Sequence, residues 1–292
     1  MNIRRCGVAG RKVVVTGAAS RIAGLILQDL RERYDLVLLD VRTTNDTDET
    51  VEGVQIVDLL NKDRTAYRAH FRGADTVIHF GFVRTQDKDH IDQYFHNEMQ
   101  NVQMAYNVYQ AAWEENVRRV VMVSSNHAAD YYEPLILDGQ WDFVNPNDRA
   151  LSDNFYGWAK EVYEHLGFVF AAGKLNGRPL DNVQIRIGGP RETDVRQAPL
   201  GDLRRMRRAL AVYLSQRDMA QLFIKSIETE DIRDEFGVPF QIFYGISANT
   251  HAFWSIANAR KIIGYEPQDN SETRFREAID EHIRAASVKT KG

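Results

Sequence analysis

Lys12-Val13-Val14-Val15-Thr16-Gly17-Ala18-Ala19-Ser20-Arg21-Ile22-Ala23-Gly24 is the stretch on which the fold turns. Its first five residues form a short apolar run, rich in β-branched side chains, that Gly17 ends. Beyond Gly17 the apolar side chains recur at helical spacing, at Ile22, Leu25, Ile26 and Leu30. The pattern predicts a buried strand that turns on small residues directly into a helix. Small side chains there let backbone N–H groups at a helix N-terminus approach a phosphate closely. The spacing suits a G-x-x-G-x-x-G turn, with Ser20 and Ala23 in its second and third places. Ser20 can equally serve as a helix cap.

Outward from this unit the same rhythm repeats. Leu36-Val37-Leu38-Leu39 reads as a second strand closed by Asp40, and Gln55-Ile56-Val57 as a third. A short helix over 63–71 leads to Asp75-Thr76-Val77-Ile78-His79, a fourth strand, then a long helical stretch over 90–115. Arg119-Val120-Val121-Met122-Val123 gives a fifth strand, 154–172 another helix, and 182–187 a sixth strand. Continuous apolar strands alternating with amphipathic helices predict an α/β protein with a Rossmann-type, doubly wound parallel sheet. After Gly188 the rhythm changes to an Arg-rich segment over 191–208, a helix over 218–228, a strand over 241–246 and Gly264-Tyr265-Glu266-Pro267. The expected organisation is a nucleotide-binding domain over 1–188 and a small C-terminal substrate-binding lobe over 189–292. That boundary is soft enough for segments to interleave.

Composition narrows the function. A chain of 292 residues, 43% of them hydrophobic, can bury its core without disulfides or metal staples. Its 37 basic and 41 acidic side chains leave no field to draw nucleic acid or an anionic membrane. The single cysteine, Cys6, excludes an intramolecular disulfide and fits a reducing cytosol, so a cytoplasmic location is expected. No apolar run approaches membrane-spanning length, and no apolar h-region follows the basic start. His79, His90, His96 and His127 lack H-E-x-x-H spacing, so no metal is expected.

Several side chains then fall where nucleotide chemistry needs them. Asp40, at the end of the second strand, is placed to accept a hydrogen bond from an adenosine ribose 2′-hydroxyl. Its charge would repel a 2′-phosphate, favouring NAD over NADP, with Arg42 able to soften the preference; a plain turn aspartate is the alternative. Gly17, Ala19, Ser20, Arg21 and Ile22 are expected along the cofactor, with Asp58 and Leu59 at the adenine and Phe80 and Gly81 after the fourth strand. Tyr156 and Lys160 lie on one helix face, where a nearby cation favours the phenolate that a general base requires. Ser124-Ser125-Asn126-His127, after the fifth strand, would open beside them.

Together these residues resemble the extended short-chain dehydrogenase/reductase family. The resemblance rests on Thr16-Gly17-Ala18-Ala19, Asp40, Asp58-Leu59, Asn101, Ser125, Tyr156 with Lys160, and Gly264-Tyr265-Glu266-Pro267. Within the family the chain looks most like the uronate dehydrogenases and related NAD-dependent aldose C1 dehydrogenases. Ser124-Ser125-Asn126-His127, Tyr131-Tyr132, Phe155-Tyr156-Gly157, Arg186-Ile187-Gly188 and Tyr244-Gly245-Ile246-Ser247-Ala248-Asn249 carry that closer likeness. The resemblance implies that Tyr156 takes the anomeric hydroxyl proton while hydride leaves C1 for NAD, giving a lactone. Lys160 would lower the tyrosine pKa and hold the nicotinamide ribose, and Ser125 would orient the hydroxyl. Asn126 and His127 would contact other sugar oxygens, and Asn101 would fix helix geometry or a relay water.

Two departures bear on the substrate. Arg84 stands where the uronate dehydrogenases have a serine, and Gly189 where they have a second one. The arginine for the substrate carboxylate would be Arg208, although Arg204, Arg205 and Arg207 blur the register, and a solvated helix face is the plainer alternative. Arg84 and Arg208 are expected to meet an acidic sugar from two sides: a uronate first, or a sugar phosphate or sulfosugar. The rival readings are a sugar-nucleotide epimerase or dehydratase that retains its NAD, and a noncatalytic NAD-binding regulatory protein. Family likeness also implies a homo-oligomer packed through the helices over 90–115 and 154–172.

Overall fold

The computed structural model describes residues 10–289 except 176 and 193, so Cys6 lies outside the described residues. Seven strands, β1 (Lys12–Thr16), β2 (Asp35–Asp40), β3 (Val54–Ile56), β4 (Thr76–His79), β5 (Arg119–Ser125), β6 (Asp181–Ile187) and β7 (Phe240–Gly245), form one sheet. Their order is β3-β2-β1-β4-β5-β6-β7, and every neighbouring pair is parallel. The direction of winding reverses between β1 and β4, and a crevice at the carboxyl ends of such strands is where this architecture binds ligands. Register aligns those ends: Thr16 stands beside Leu39 on one side and His79 on the other, and Ser125 beside Ile187.

Strand pleat explains the unbroken apolar runs. Val13 and Val15 enter one core layer with Ile78, Val121, Ile185 and Phe223, while Val14 enters the other with Val77, Val120, Tyr109 and Tyr163. The helix expected after the first turn is broken. Ser20 caps α1 (Arg21–Gly24), and Ile26, at φ −122° and ψ 0°, interrupts the path before Leu27–Arg31 continues it. On the second layer lie α2 (Ile91–Glu114) and α3 (Phe155–Ala172); α3 starts at Asn154, whose Oδ1 accepts the Gly157 N–H at 3.0 Å.

The region beyond 188 interleaves with the sheet. β7 pairs with β6, and Leu222 and Phe223 of the helix α5 (Gln216–Glu228) are buried in the first core layer. These segments join the main body by burying Phe243, Tyr244, Leu222 and Phe223 in that layer. What stands apart is α4 (Leu203–Val212), whose Met206, Ala209 and Leu210 pack on Val195, Tyr213, Phe275 and Ala278 in a separate small cluster. Among the described residues no helix is long and apolar enough to cross a membrane.

Candidate active site

The cofactor end is made mostly of backbone. Gly17 has φ +67°, and a Cβ there would lie 2.5 Å from the Gly81 nitrogen and 2.6 Å from the Phe80 carbonyl carbon. Only glycine satisfies both the conformation and the approach. The Phe80 ring stacks on Phe223 in the core at 5.3 Å, so what Phe80 and Gly81 present to the turn is main chain. Asp40 Oδ2 accepts the Ala19 N–H at 2.9 Å and Oδ1 the Val41 N–H at 2.7 Å, fixing the carboxylate against the turn. A carboxylate so held keeps lone pairs for a ribose hydroxyl. Arg21 is exposed and Ile22 half-buried in α1. Asp58 is exposed and its Oδ1 accepts the Leu60 N–H at 2.8 Å; the carbonyl of buried Leu59 accepts from Asn107 Nδ2 at 2.7 Å. A turn that no side chain could share, beside a fixed carboxylate, suits NAD. Beneath it, His79 Nδ1 lies 2.6 Å from Thr16 Oγ1, and burial, assisted by the Lys160 charge, pushes His79 down to about 3.

At the chemical end, Tyr156 and Lys160 project from the first two turns of α3 toward the end of β5. Burial raises the Tyr156 pKa, opposed by a hydrogen bond from Ser125 and by the charge of Arg191. Lys160 is buried, donates to the Val123 carbonyl at 3.0 Å, and sits 5.5 Å from the centre of the Tyr156 ring. Burial draws Lys160 down to about 8 against the pull of Glu98 and Glu164. Ser125 Oγ accepts the His127 N–H at 3.2 Å, and the His127 ring meets Tyr156 edge-on at 5.7 Å. His127 Nδ1 pairs with Asp130 Oδ2 at 2.8 Å, and the same oxygen accepts from Asn154 Nδ2 at 2.9 Å. One carboxylate therefore aligns the histidine with the cap of the Tyr156 helix. Asn101 clamps the loop after β4, accepting the Val83 N–H at 2.7 Å and donating to its carbonyl at 3.0 Å.

The third part is a basic cleft of about 500 Å³ lined by Arg191, Arg204, Arg205 and Arg208, with Asp202 an acidic residue on its wall. Asn126 Nδ2 donates to Glu133 Oε1 at 3.0 Å, and Arg208 Nε to Glu133 Oε2 at 2.9 Å, so Glu133 ties the cleft to the loop beside Ser125. Of the two departing positions, Arg84 lies apart from this cleft, while Gly189 adjoins it, its carbonyl accepting the Arg191 N–H at 2.8 Å. Arg84 is exposed and its charge acts on Asp46, as do those of Arg42 and Arg21, so it belongs to the cofactor side and does not face Arg208. The strand order is the reason: the loop after β4 opens next to β1, two strands away from β6. Gly189 has its main chain engaged, donating to the Val212 carbonyl at 2.7 Å and accepting from Leu214 N at 3.2 Å.

Under the site runs a buried network. Ser124 Oγ donates to Glu164 Oε1 at 2.8 Å, Arg186 grips both Glu164 oxygens at 2.8 and 2.7 Å, and Arg186 Nη1 reaches Tyr244 OH at 2.9 Å. Glu98, Glu133, Glu164 and Arg191 were not singled out in the sequence. Glu164 carried a signal, since it follows Lys160 by four residues on one helix face; Glu133 and Arg191 carried none.

The comparisons agree with this geometry. A family model described as NAD(P)H-binding matches residues 17–228. An NAD-dependent glucose-6-phosphate dehydrogenase of Haloferax volcanii is 30% identical over 89% of this chain and 94% of its own. A uronate dehydrogenase of Pseudomonas syringae is 27% identical over 92% of this chain and 86% of its own. The crystal structure of a glucuronic acid dehydrogenase from Chromohalobacter salexigens superposes with a TM-score of 0.69 at 26% identity, covering 92% of this chain and 88% of that one. With its glycine turn, fixed aspartate and Ser125–Tyr156–Lys160 set on one sheet edge, the chain belongs to the NAD(P)H-binding family, as an oxidoreductase of the short-chain dehydrogenase/reductase type.

Proposed function

We propose that this protein oxidises the anomeric carbon of an acidic aldose, a uronate foremost, to its lactone. The observation that carries the reading is the arginine-lined cleft, whose Arg191 acts on Tyr156 and whose Arg208 is joined through Glu133 to Asn126. Relatives of this chain are named for uronate, glucose 6-phosphate and L-arabinose. Arg204, Arg205 and Arg208 each already meet a carboxylate, of Asp138, Asp202 and Glu133. A guanidinium keeps further N–H donors, and these favour the acidic sugars over the neutral pentose and would suit a phosphate or sulfonate equally.

In this reading Tyr156 takes the anomeric hydroxyl proton while Ser125 holds the same oxygen, the Ser125 hydrogen bond and the Arg191 charge working against the burial that raises the tyrosine pKa. Bound NAD supplies the hydride acceptor. Gly17, Ala19 and Asp40 would hold its adenosine half, and Lys160 its nicotinamide ribose. Asn126 and His127, fixed by Glu133 and Asp130, would hold sugar hydroxyls. Apolar Phe95, Met99, Phe168 and Val169, exposed on α2 and α3, support a homo-oligomer packed through those helices.

The test is NAD reduction by the purified protein across uronates, sugar phosphates, sulfosugars and neutral aldoses. Loss of one desolvated Arg–anion hydrogen bond, about 1.5–3 kcal/mol, should raise KM roughly ten- to a hundredfold in Arg208→Ala for the acidic sugar. The matching neutral aldose should lose far less, and Arg191→Ala should in addition raise the Tyr156 pKa with either sugar. A wild-type enzyme that used neutral aldoses as efficiently as every acidic sugar would end the reading.

A further inference from the structure

Glu98 is a carboxylate in the wrong place for a purely structural side chain. It lies in α2, 1% exposed, one turn before Asn101. Burying an acid in a helix–sheet interface is unfavourable unless polar or charged groups meet it. Here Asn101 Nδ2 donates to Oε2 at 3.1 Å, and the Thr85 hydroxyl lies 3.5 Å from Oε1. Asn101 in turn brackets the Val83 peptide. Phe82, the residue before Val83 in that loop, meets the Tyr156 ring edge-on at 5.5 Å, and its ring centre lies 5.3 Å from Lys160 Nζ. A continuous path of contacts therefore runs from Glu98 through Asn101 and the Phe82 loop to the Tyr156–Lys160 pair.

We propose that Glu98 is a positioning residue for the Tyr156 reaction: it braces Asn101 and the Phe82 loop on which Tyr156 and Lys160 rest, and its charge acts across that loop on both. The proposal rests on Tyr156 and Lys160 being the reacting pair. Burial, the main cause, raises the Glu98 carboxyl, against the Asn101 hydrogen bond and the charge of Lys160. Burial likewise draws Lys160 down to about 8, and Glu98 is the first group to oppose it. The other groups facing this pair are Glu164 and Tyr163 on α3, His79 on β4, Lys88 in the loop after β4, and Tyr94 on α2.

The sign follows from one charge acting on two groups. The Glu98 carboxylate raises the pKa of Tyr156 and that of Lys160 alike. Removing it lowers both, so both limbs of the kcat/KM profile should move to lower pH, by about one unit for a neighbouring charge. Glu98→Gln keeps an acceptor for Asn101 and removes only the charge; Glu98→Leu removes the brace as well. Two readouts on the NAD-bound protein separate the roles: the pH profile of sugar-driven NADH formation, and ultraviolet difference titration of tyrosinate with Tyr156→Phe as baseline. The expected result is an acid shift in both for Glu98→Gln, at unchanged thermal stability, and a further fall in kcat for Glu98→Leu. Wild-type profiles and titration in Glu98→Gln would overturn the proposal, even if Glu98→Leu failed to fold. A shifted titration in a protein that oxidises no sugar would sustain Glu98 and sink the sugar reading.

Discussion

At the cofactor end of the cleft, Gly17, Ala19 and the Phe80-Gly81 peptide work through main chain, and Asp40 reaches the turn over 21 residues of sequence. At the substrate end Asn126, His127 and Arg208 are held by other side chains, often distant ones, while Lys160 and Asn101 hold main chain. Arg208 reaches Glu133 across 75 residues, and Arg186 reaches Tyr244 across 58. Main-chain sites constrain little beyond small size at two or three positions. Side-chain networks can be rebuilt residue by residue, so substrate choice can move while the cofactor stays. The two ends should therefore fail separately.

The largest expected effect tests that separation at its centre. Tyr156→Phe removes the proton acceptor but little volume, and turnover should fall about 10²–10⁴-fold. NAD affinity, measured by calorimetry, should be unchanged. A parallel loss of NAD binding would show the two ends to be one unit. Asp40→Ala comes next: loss of a charge-assisted hydrogen bond should weaken NAD about tenfold and narrow its advantage over NADP. The order of preference among sugars should not change, which a sugar panel at saturating cofactor would check. Equal use of NAD and NADP by the unmutated protein would remove the premise.

The smallest effect near neutrality concerns His79, which lies beneath both ends. Its folded-state pKa, about 3, is below the ordinary value, so at mildly acid pH the folded protein binds fewer protons than the unfolded chain. This contribution to stability is complete above about pH 6.5 and is lost as pH falls, at no more than about 1.4 kcal/mol per pH unit. Urea midpoints at pH 7, 6 and 5 should therefore fall more steeply in the wild type than in His79→Gln. Equal slopes would mean that the imidazole is not held neutral.

Much of the fold was legible because buried parallel strands announce themselves. All seven strands lie where the sequence places strands, although β3 and β6 carry polar residues, and the strand after 240, assigned to the smaller lobe with a soft boundary, joins the sheet. Its place stays open in the sequence because a short strand such as Phe240–Gly245 says nothing about which sheet it joins. The helix after Gly17 was expected unbroken because periodicity registers which face is apolar, not whether Ile26 keeps helical dihedrals. At the site, Tyr156, Lys160 and Ser125 were legible from spacing and position along the chain. Arg84 was misplaced because alignment to a serine position fixes a residue's place in a loop, not the direction in which a long side chain leaves it.

The sequence by itself determined the alternation of strand and helix, the glycine at the nucleotide turn and the phenol–ammonium pair, since each rests on spacing within a few residues. Tertiary structure alone decided that Glu133 joins Asn126 to Arg208, that Glu164 clamps Arg186 under Ser124, and that Glu98 meets Asn101 beside the Phe82 loop. A carboxylate is read from sequence as a charge without a partner. Its partner, and with it the pKa and the chemistry, exists only once the sheet has brought distant segments to one edge.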